Sequence, residues 1–192
     1  IGNETTGHGI NIWAADSVTG DIRPNVVLNN VTINNCGKTG LTINSSVVEA
    51  TNLTTSGNVW GAVNVDDEQS MFTLHSGTLN EPNQIWTEVI ASGTAKPGNI
   101  TLPDDWKYVL MDKPGEGSDD IKYHATTDMT KLGAAYNETT NTVFDTVERA
   151  LEKANAADDK QIISVIKTTN NMNDCINFTD ICKELVSKPF SF

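Results

Sequence analysis

Basic residues are scarce in this sequence: 13 Lys and Arg stand against 25 Asp and Glu, and Arg occurs only at Arg23 and Arg149. Nucleic-acid binders collect cations to neutralise phosphates. A chain of net charge −12 therefore excludes that partner class and disfavours an anionic lipid surface. Long apolar runs are missing as well; none approaches the roughly 20 residues that cross a bilayer as a helix. Cysteine occurs only at Cys36, Cys175 and Cys182. These form no zinc pattern, and an odd count argues against a disulfide scaffold. Cys36 reads as a small stacked residue within a repeat, and the spacing leaves open whether Cys175 and Cys182 are bridged. No phosphate loop, nucleophile elbow or His-Glu-x-x-His motif is present.

What the sequence does have is a repeat. Gly9-Ile10-Asn11-Ile12, Gly40-Leu41-Thr42-Ile43 and Ala62-Val63-Asn64-Val65 each place a small residue before an apolar, polar, apolar triplet. That is the alternation of a strand with one buried face. The second and third copies are 22 residues apart, and the same shift carries Leu28 through Ala50 to Phe72 and Asn30 to Asn52. A period near 22 with short β-branched strands and no helix between them predicts stacked parallel strands. Ile10/Leu41/Val63, Ile12/Ile43/Val65 and Val31/Leu53 are the expected inward stacks, with Asn30 over Asn52 as an amide ladder at a corner. The first interval, Gly9 to Gly40, is 31 residues, and its nine extra residues are placed in a loop over Asp16 to Pro24. A repeat unit buries its core only against neighbours, so a stack that starts abruptly predicts that the chain is a fragment.

Composition shifts near residue 66, from four acids and two bases before it to 21 and 11 from it onward. Gly77 to Pro103 is read as the last irregular coil. Trp106 to Leu110 and Ile121 to Tyr123 alternate around the turn-rich Asp112 to Ser118, predicting a hairpin or small β cap. Thr142 to Ala157 carries Val143, Phe144, Val147, Ala150, Leu151 and Ala154 at helical spacing. Thr142 and Asp145 are its expected capping box and Asp145–Arg149 its i,i+4 pair. Gln161 to Ile166 reads as a buried strand and Phe178 to Val186 as a short helix. The predicted fold class is mainly β. Residues 1–81 form the terminal coils of a right-handed single-stranded parallel β-helix, 82–135 a linker and small β hairpin or cap, and 136–192 a helix–strand unit.

On these residues the chain resembles the right-handed, pectate-lyase-like β-helix proteins of bacterial surfaces, especially long secreted or wall-attached proteins of adhesin type. The resemblance is carried by Gly7-His8-Gly9-Ile10-Asn11-Ile12, Asn29 to Ile33 and Trp60 to Asp66. Phe144 to Ala154 followed by Ile162-Ile163 resembles the helix-then-strand unit that opens another β module in such proteins. It implies an exported protein, extracellular or at the cell wall, whose partners are polysaccharides or host-surface glycans. A shared fold carries many activities.

Two functions follow as expectations. The first is a non-catalytic structural or adhesive segment, for which Trp13 and Trp60 are the candidate glycan contacts; the alternative for these rings is packing over a neighbouring loop. The second is a carbohydrate-active enzyme, polygalacturonase-like or pectate-lyase-like, with its catalytic coils upstream. Gly7-His8-Gly9 resembles the polygalacturonase Gly-His-Gly motif and makes His8 the candidate catalytic residue. That chemistry needs paired carboxylates. Where the family carries Arg-Ile-Lys about one coil later, this chain has Leu41-Thr42-Ile43-Asn44, so the reading leans against an enzyme. Asp66, Asp67 and Glu68 are candidates for Ca²⁺, the one cofactor considered. Neighbouring acids on a strand face opposite ways, and a solvated acidic turn is the competing reading.

Overall fold

The computed structural model describes residues 6–14, 23–90, 99–112 and 122–167, with 88–90 and 122 described for their backbone alone. Outside these residues lie most of the expected insert (16–22), the turn at 113–118, the short helix at 178–186, and Cys175 with Cys182.

The fold is mainly β and rich in parallel pairing. The chain passes through β1 (Ile10–Trp13), β2 (Asn25–Asn29), β3 (Thr32–Asn34), β4 (Thr39–Asn44), β5 (Val47–Thr51), β6 (Leu53–Ser56), β7 (Gly61–Val65), β8 (Met71–Leu74), β9 (Gly77–Leu79), β10 (Ile85–Ile90) and β11 (Ile100–Thr101). It visits three sheets in turn: β1, β4, β7 and β10 are neighbours in the first, β2, β5, β8 and β11 in the second, and β3, β6 and β9 in the third. All these pairings are parallel.

Register follows the repeat. Ile10, Leu41, Val63 and Ile85 stack in one file, and Ile12, Ile43, Val65 and Thr87 in the next. The second sheet corrects one expectation: Leu28 and Ala50 stack on Leu74, while Phe72 stacks on Val48. The shift there is 24 residues because the turn after β7 is two residues longer than the turn after β4. The Asp67 carboxylate closes that longer turn, accepting from Gln69 N at 2.9 Å and from Ser70 N and Oγ at 2.6 and 2.8 Å. An even shift keeps the pleat in phase, so apolar side chains still face inward. Ile33, Leu41, Ile43, Val48, Leu53, Val63, Val65, Phe72, Leu74 and Ile85 form one core.

Residues in the left-handed region make the corners. Ser45 (φ 46°) turns the chain from first sheet to second, Asn30 and Asn52 (both φ 55°) from second to third, and Asn35 (φ 55°) and Gly57 (φ 67°) from third to first. Asn tolerates this conformation better than most residues. Asn52 Nδ2 donates to Asn30 Oδ1 at 2.8 Å, forming the expected ladder, and Ser76 Oγ adds a rung by accepting from Asn52 N at 3.0 Å.

One buried polar column was not anticipated. Cys36, a buried free thiol, donates its backbone N–H to Asn58 Oδ1 at 3.0 Å. Asn58 Nδ2 in turn donates to Ile33 O at 3.1 Å and to Glu81 Oε1 at 2.6 Å, and Thr55 Oγ1 donates to Glu81 Oε2 at 2.5 Å. Glu81 is only 2 % exposed. Such burial is tolerated because both carboxylate oxygens are hydrogen-bonded.

Beyond this stack, β12 (Lys107–Asp112) and β13 (Lys122–Thr126) form the expected antiparallel hairpin, joined to the first sheet through β10 and β13. Trp106 and Ala125 extend the core. A short 3-10 helix (Met129–Lys131) leads to β14 (Ala135–Asn137), β15 (Thr142–Phe144), α1 (Val147–Ala156) and β16 (Ile163–Val165). The helix starts later than its apolar spacing implies. Thr142, Val143 and Phe144 are β-branched or aromatic and are claimed as a strand, pairing with both β12 and β14. Thr146, rather than Thr142, caps the helix by accepting from Arg149 N. Arg149 bonds Asp112 rather than Asp145, with Nε 2.7 Å from Oδ1, and that bond raises its affinity for the proton. β16 is half-buried and exposed rather than a buried strand, because among the described residues it pairs on one edge, with β14.

Candidate functional site

Outward-facing residues of the first sheet alternate with its core files, so they stack as regularly as the core does. Asn11, Thr42, Asn64 and Trp86 form one outward file. Trp13 stands in register with Asn44, and Asn44 Nδ2 donates to Asp66 Oδ2 just past the end of β7. Together with His8, Thr39 and Trp60 these residues line an open cleft of about 360 Å³.

The aromatic rings hold distinct positions. Trp13 is 56 % exposed and Trp60 50 %, whereas Trp86 is buried. Gly61 leaves room for the Trp86 ring: a Cβ there would sit 2.7 Å from Trp86 Cζ3, and its φ of +134° suits glycine alone. The His8 ring meets Trp60 edge-on with centroids 5.7 Å apart. Lys38 Nζ lies 4.8 Å over the Trp60 ring, a cation–π contact.

His8 is the hinge of the cleft's electrostatics. Its Nδ1 is 2.8 Å from Thr42 Oγ1. Desolvation first, then the nearby Lys38 charge, hold its pKa below the usual 6.5, against an opposing pull from Asp66. His8 is therefore a neutral hydrogen-bonding group at physiological pH. Two floor atoms are unsatisfied: Asn64 Nδ2 and Thr39 Oγ1 are buried without a hydrogen-bond partner. Asn64 is 5 % exposed. Buried polar atoms are normally paired, and an unpaired one costs about 1–3 kcal/mol.

The structure thus brings His8, Trp13, Trp60 and Asp66 into one place, four residues that the sequence ties to three different chemistries. The acidic run is split. Asp66 faces the cleft, Asp67 closes its turn, and Glu68 is exposed. Burial pushes the Asp67 carboxyl up, but hydrogen bonds from Ser45 and Ser70 outweigh it and hold the pKa below 3.8. Among the described residues no group of three or more His, Cys, Asp or Glu side chains is placed to hold a metal ion, so the three acids do not converge as a Ca²⁺ site would require. Arg23 donates to Gln69 O at 2.5 Å, within the turn that Asp67 closes.

Sequence reasoning missed Thr39, Asn64 and Trp86. The signal was present: the 22-residue shift that relates Val63 to Ile85 also carries Asn64 to Trp86.

No family model matches the chain, and searches of curated proteins and of solved structures likewise return no match. No helix among the described residues is long and apolar enough to cross a membrane.

Proposed function

We propose that this chain is a non-catalytic β-helix segment of an exported bacterial surface protein, and that it contacts a glycan through the cleft on its first sheet. In this reading the three parallel sheets are the last coils of a right-handed, pectate-lyase-like β-helix. The cyclic visit to three sheets, the 22-residue register and the left-handed corners all support that architecture.

One observation carries the functional part: two half-exposed tryptophans border a cleft lined by the amide and hydroxyl file of Asn11, Thr42 and Asn64, with the Asp66 carboxylate beside it. Apolar ring faces stack on the C–H faces of sugars while placed polar groups fix orientation. The enzyme reading has less support from the same site. Asp66 is the one carboxylate bordering the cleft among the described residues, and glycoside hydrolysis uses a pair.

A panel of neutral and acidic oligosaccharides titrated against the chain, read by tryptophan fluorescence, tests the proposal. Saturable binding that is lost in Trp13→Ala and Trp60→Ala is the expected result. Binding unchanged in both variants would place any glycan elsewhere. Release of reducing sugar or unsaturated uronide from pectin, abolished in His8→Ala, would instead establish the enzyme.

A further inference from the structure

The polar groups of the cleft narrow the class of sugar it takes. We propose that it binds a neutral, hydroxyl-rich pyranose and rejects uronates and other acidic sugars; this rests on the glycan reading above.

The argument starts from the unsatisfied floor. Asn64 Nδ2 is a buried donor without an acceptor, and Thr39 Oγ1 a buried hydroxyl without a partner. A ligand that supplies oxygen to the first relieves a desolvation cost already present in the free protein. Asp66 sets the complementary demand. Its Oδ2 takes the Asn44 amide, leaving Oδ1 to accept a hydrogen bond from outside. The site therefore asks for at least one acceptor and one donor on the same ligand. A hydroxyl is both. Asn64 lies in β7 and Asp66 directly follows its last residue, and both line the cleft. Two hydroxyls on one edge of a pyranose ring fit such a pair.

Charge then decides between sugar classes. A uronate would bring its carboxylate toward Asp66, and like charges a few ångströms apart repel even at a protein surface. Lys38 keeps its charge over the Trp60 ring but, unlike Asp66, does not line the cleft, and His8, engaged with Thr42, has its pKa held below 6.5 and supplies little positive charge at neutral pH. The net charge of −12 adds long-range repulsion against a polyanion such as polygalacturonate.

The test uses the full chain with cellotetraose, mannotetraose and galactotetraose as neutral probes and tetragalacturonate as the acidic one, at low salt and pH 7. At least one neutral probe is expected to saturate the fluorescence change, with tetragalacturonate at least tenfold weaker. Asn64→Ala should weaken the neutral probe fivefold or more. Asp66→Asn, which keeps shape and removes charge, should bring tetragalacturonate within about threefold of the neutral probe. Wild-type binding of tetragalacturonate as tight as any neutral probe would overturn this inference and leave the glycan reading standing. Failure of all four probes to bind, in a chain whose circular dichroism is native, would overturn the glycan reading itself.

Discussion

The stack up to β11 and the segment from β12 to β16 share one nine-stranded sheet, yet they hold their strands by different means. In the stack, parallel strands recur at a shift near 22, and the bridging side chains are mostly neutral pairs, such as Asn52 to Asn30 and Ser56 to Asn34, or carboxylates that accept from neutral donors, as Glu81 does from Asn58 and Thr55. In the later segment, antiparallel hairpins alternate with one parallel pairing, and the Arg149–Asp112 ion pair ties helix to sheet. Both regions use a left-handed Asn. Asn52 bonds its own counterpart one rung away, whereas Asn141 (φ 54°) donates to Tyr108 O at 2.9 Å and accepts from Tyr136 Oη at 3.0 Å. Repetition lets a residue pair with its own kind; without it, each polar group needs a different partner. The cleft belongs to the repetitive region, where the same outward position recurs from strand to strand.

The largest expected effect tests whether the two regions fold as one. Phe72→Ala in the stack and Phe144→Ala beyond it should each cost about 3–5 kcal/mol, since both rings are buried. If the shared sheet couples them, chemical denaturation shows a single transition shifted by either variant. Two separable transitions, each moved by one substitution, would break the coupling.

Next comes the ion pair. Asp112→Asn leaves the half-buried Arg149 without its carboxylate and should cost about 1–2 kcal/mol, discounted because solvent still reaches the guanidinium. The loss should shrink in 1 M salt. A substitution in the stack's ladder should be insensitive to salt, which sharpens the contrast. Asn52→Ala should cost about 1–2 kcal/mol, combining a lost hydrogen bond with a left-handed Ala. Asn52→Gly restores the conformation alone, and equal losses for the two variants would show that the conformation contributes nothing.

The smallest effect is acid sensitivity. Asp67 titrates below its usual 3.8 in the folded chain. Its contribution is therefore complete above pH 3.8 and is lost as pH falls through the depressed value. Asp67→Asn should flatten the stability profile in that window and leave it unchanged at pH 7 apart from a constant offset. A profile identical to wild type below pH 4 would show that the turn does not depend on the charge.

The same contrast explains what was legible in advance. Ile10, Leu41 and Val63 announce their stacking because the shift and the alternation both point to it, and Asn30 over Asn52 follows by the same arithmetic. Phe72 was misplaced by two residues because a turn closed by Asp67 interrupts the period without any apolar signature. In the later segment no repeat arbitrates between competing patterns. Val143, Phe144 and Val147 fit a helical stripe, but tertiary pairing with β12 and β14 overrides it for the first two. At the site, Trp13, Trp60, His8 and Asp66 were each visible as residue types. Their convergence was not, since it depends on which side of a strand each one leaves and on how far the turns carry them. Asn64 and Thr39 carry no sequence signal of being unsatisfied; that is a property of their surroundings.

The outward file of Asn11, Thr42, Asn64 and Trp86 is also a ruler. Its marks are spaced by backbone hydrogen bonding, about 4.8 Å apart, and no side-chain change alters that spacing. A linear ligand laid across the strands would meet a fresh set of partners at each mark. Affinity on such a surface grows with ligand length in steps, by avidity rather than by any single deep pocket. On the proposed glycan reading, a saccharide long enough to reach several of these marks should dissociate more slowly than one that reaches a single mark.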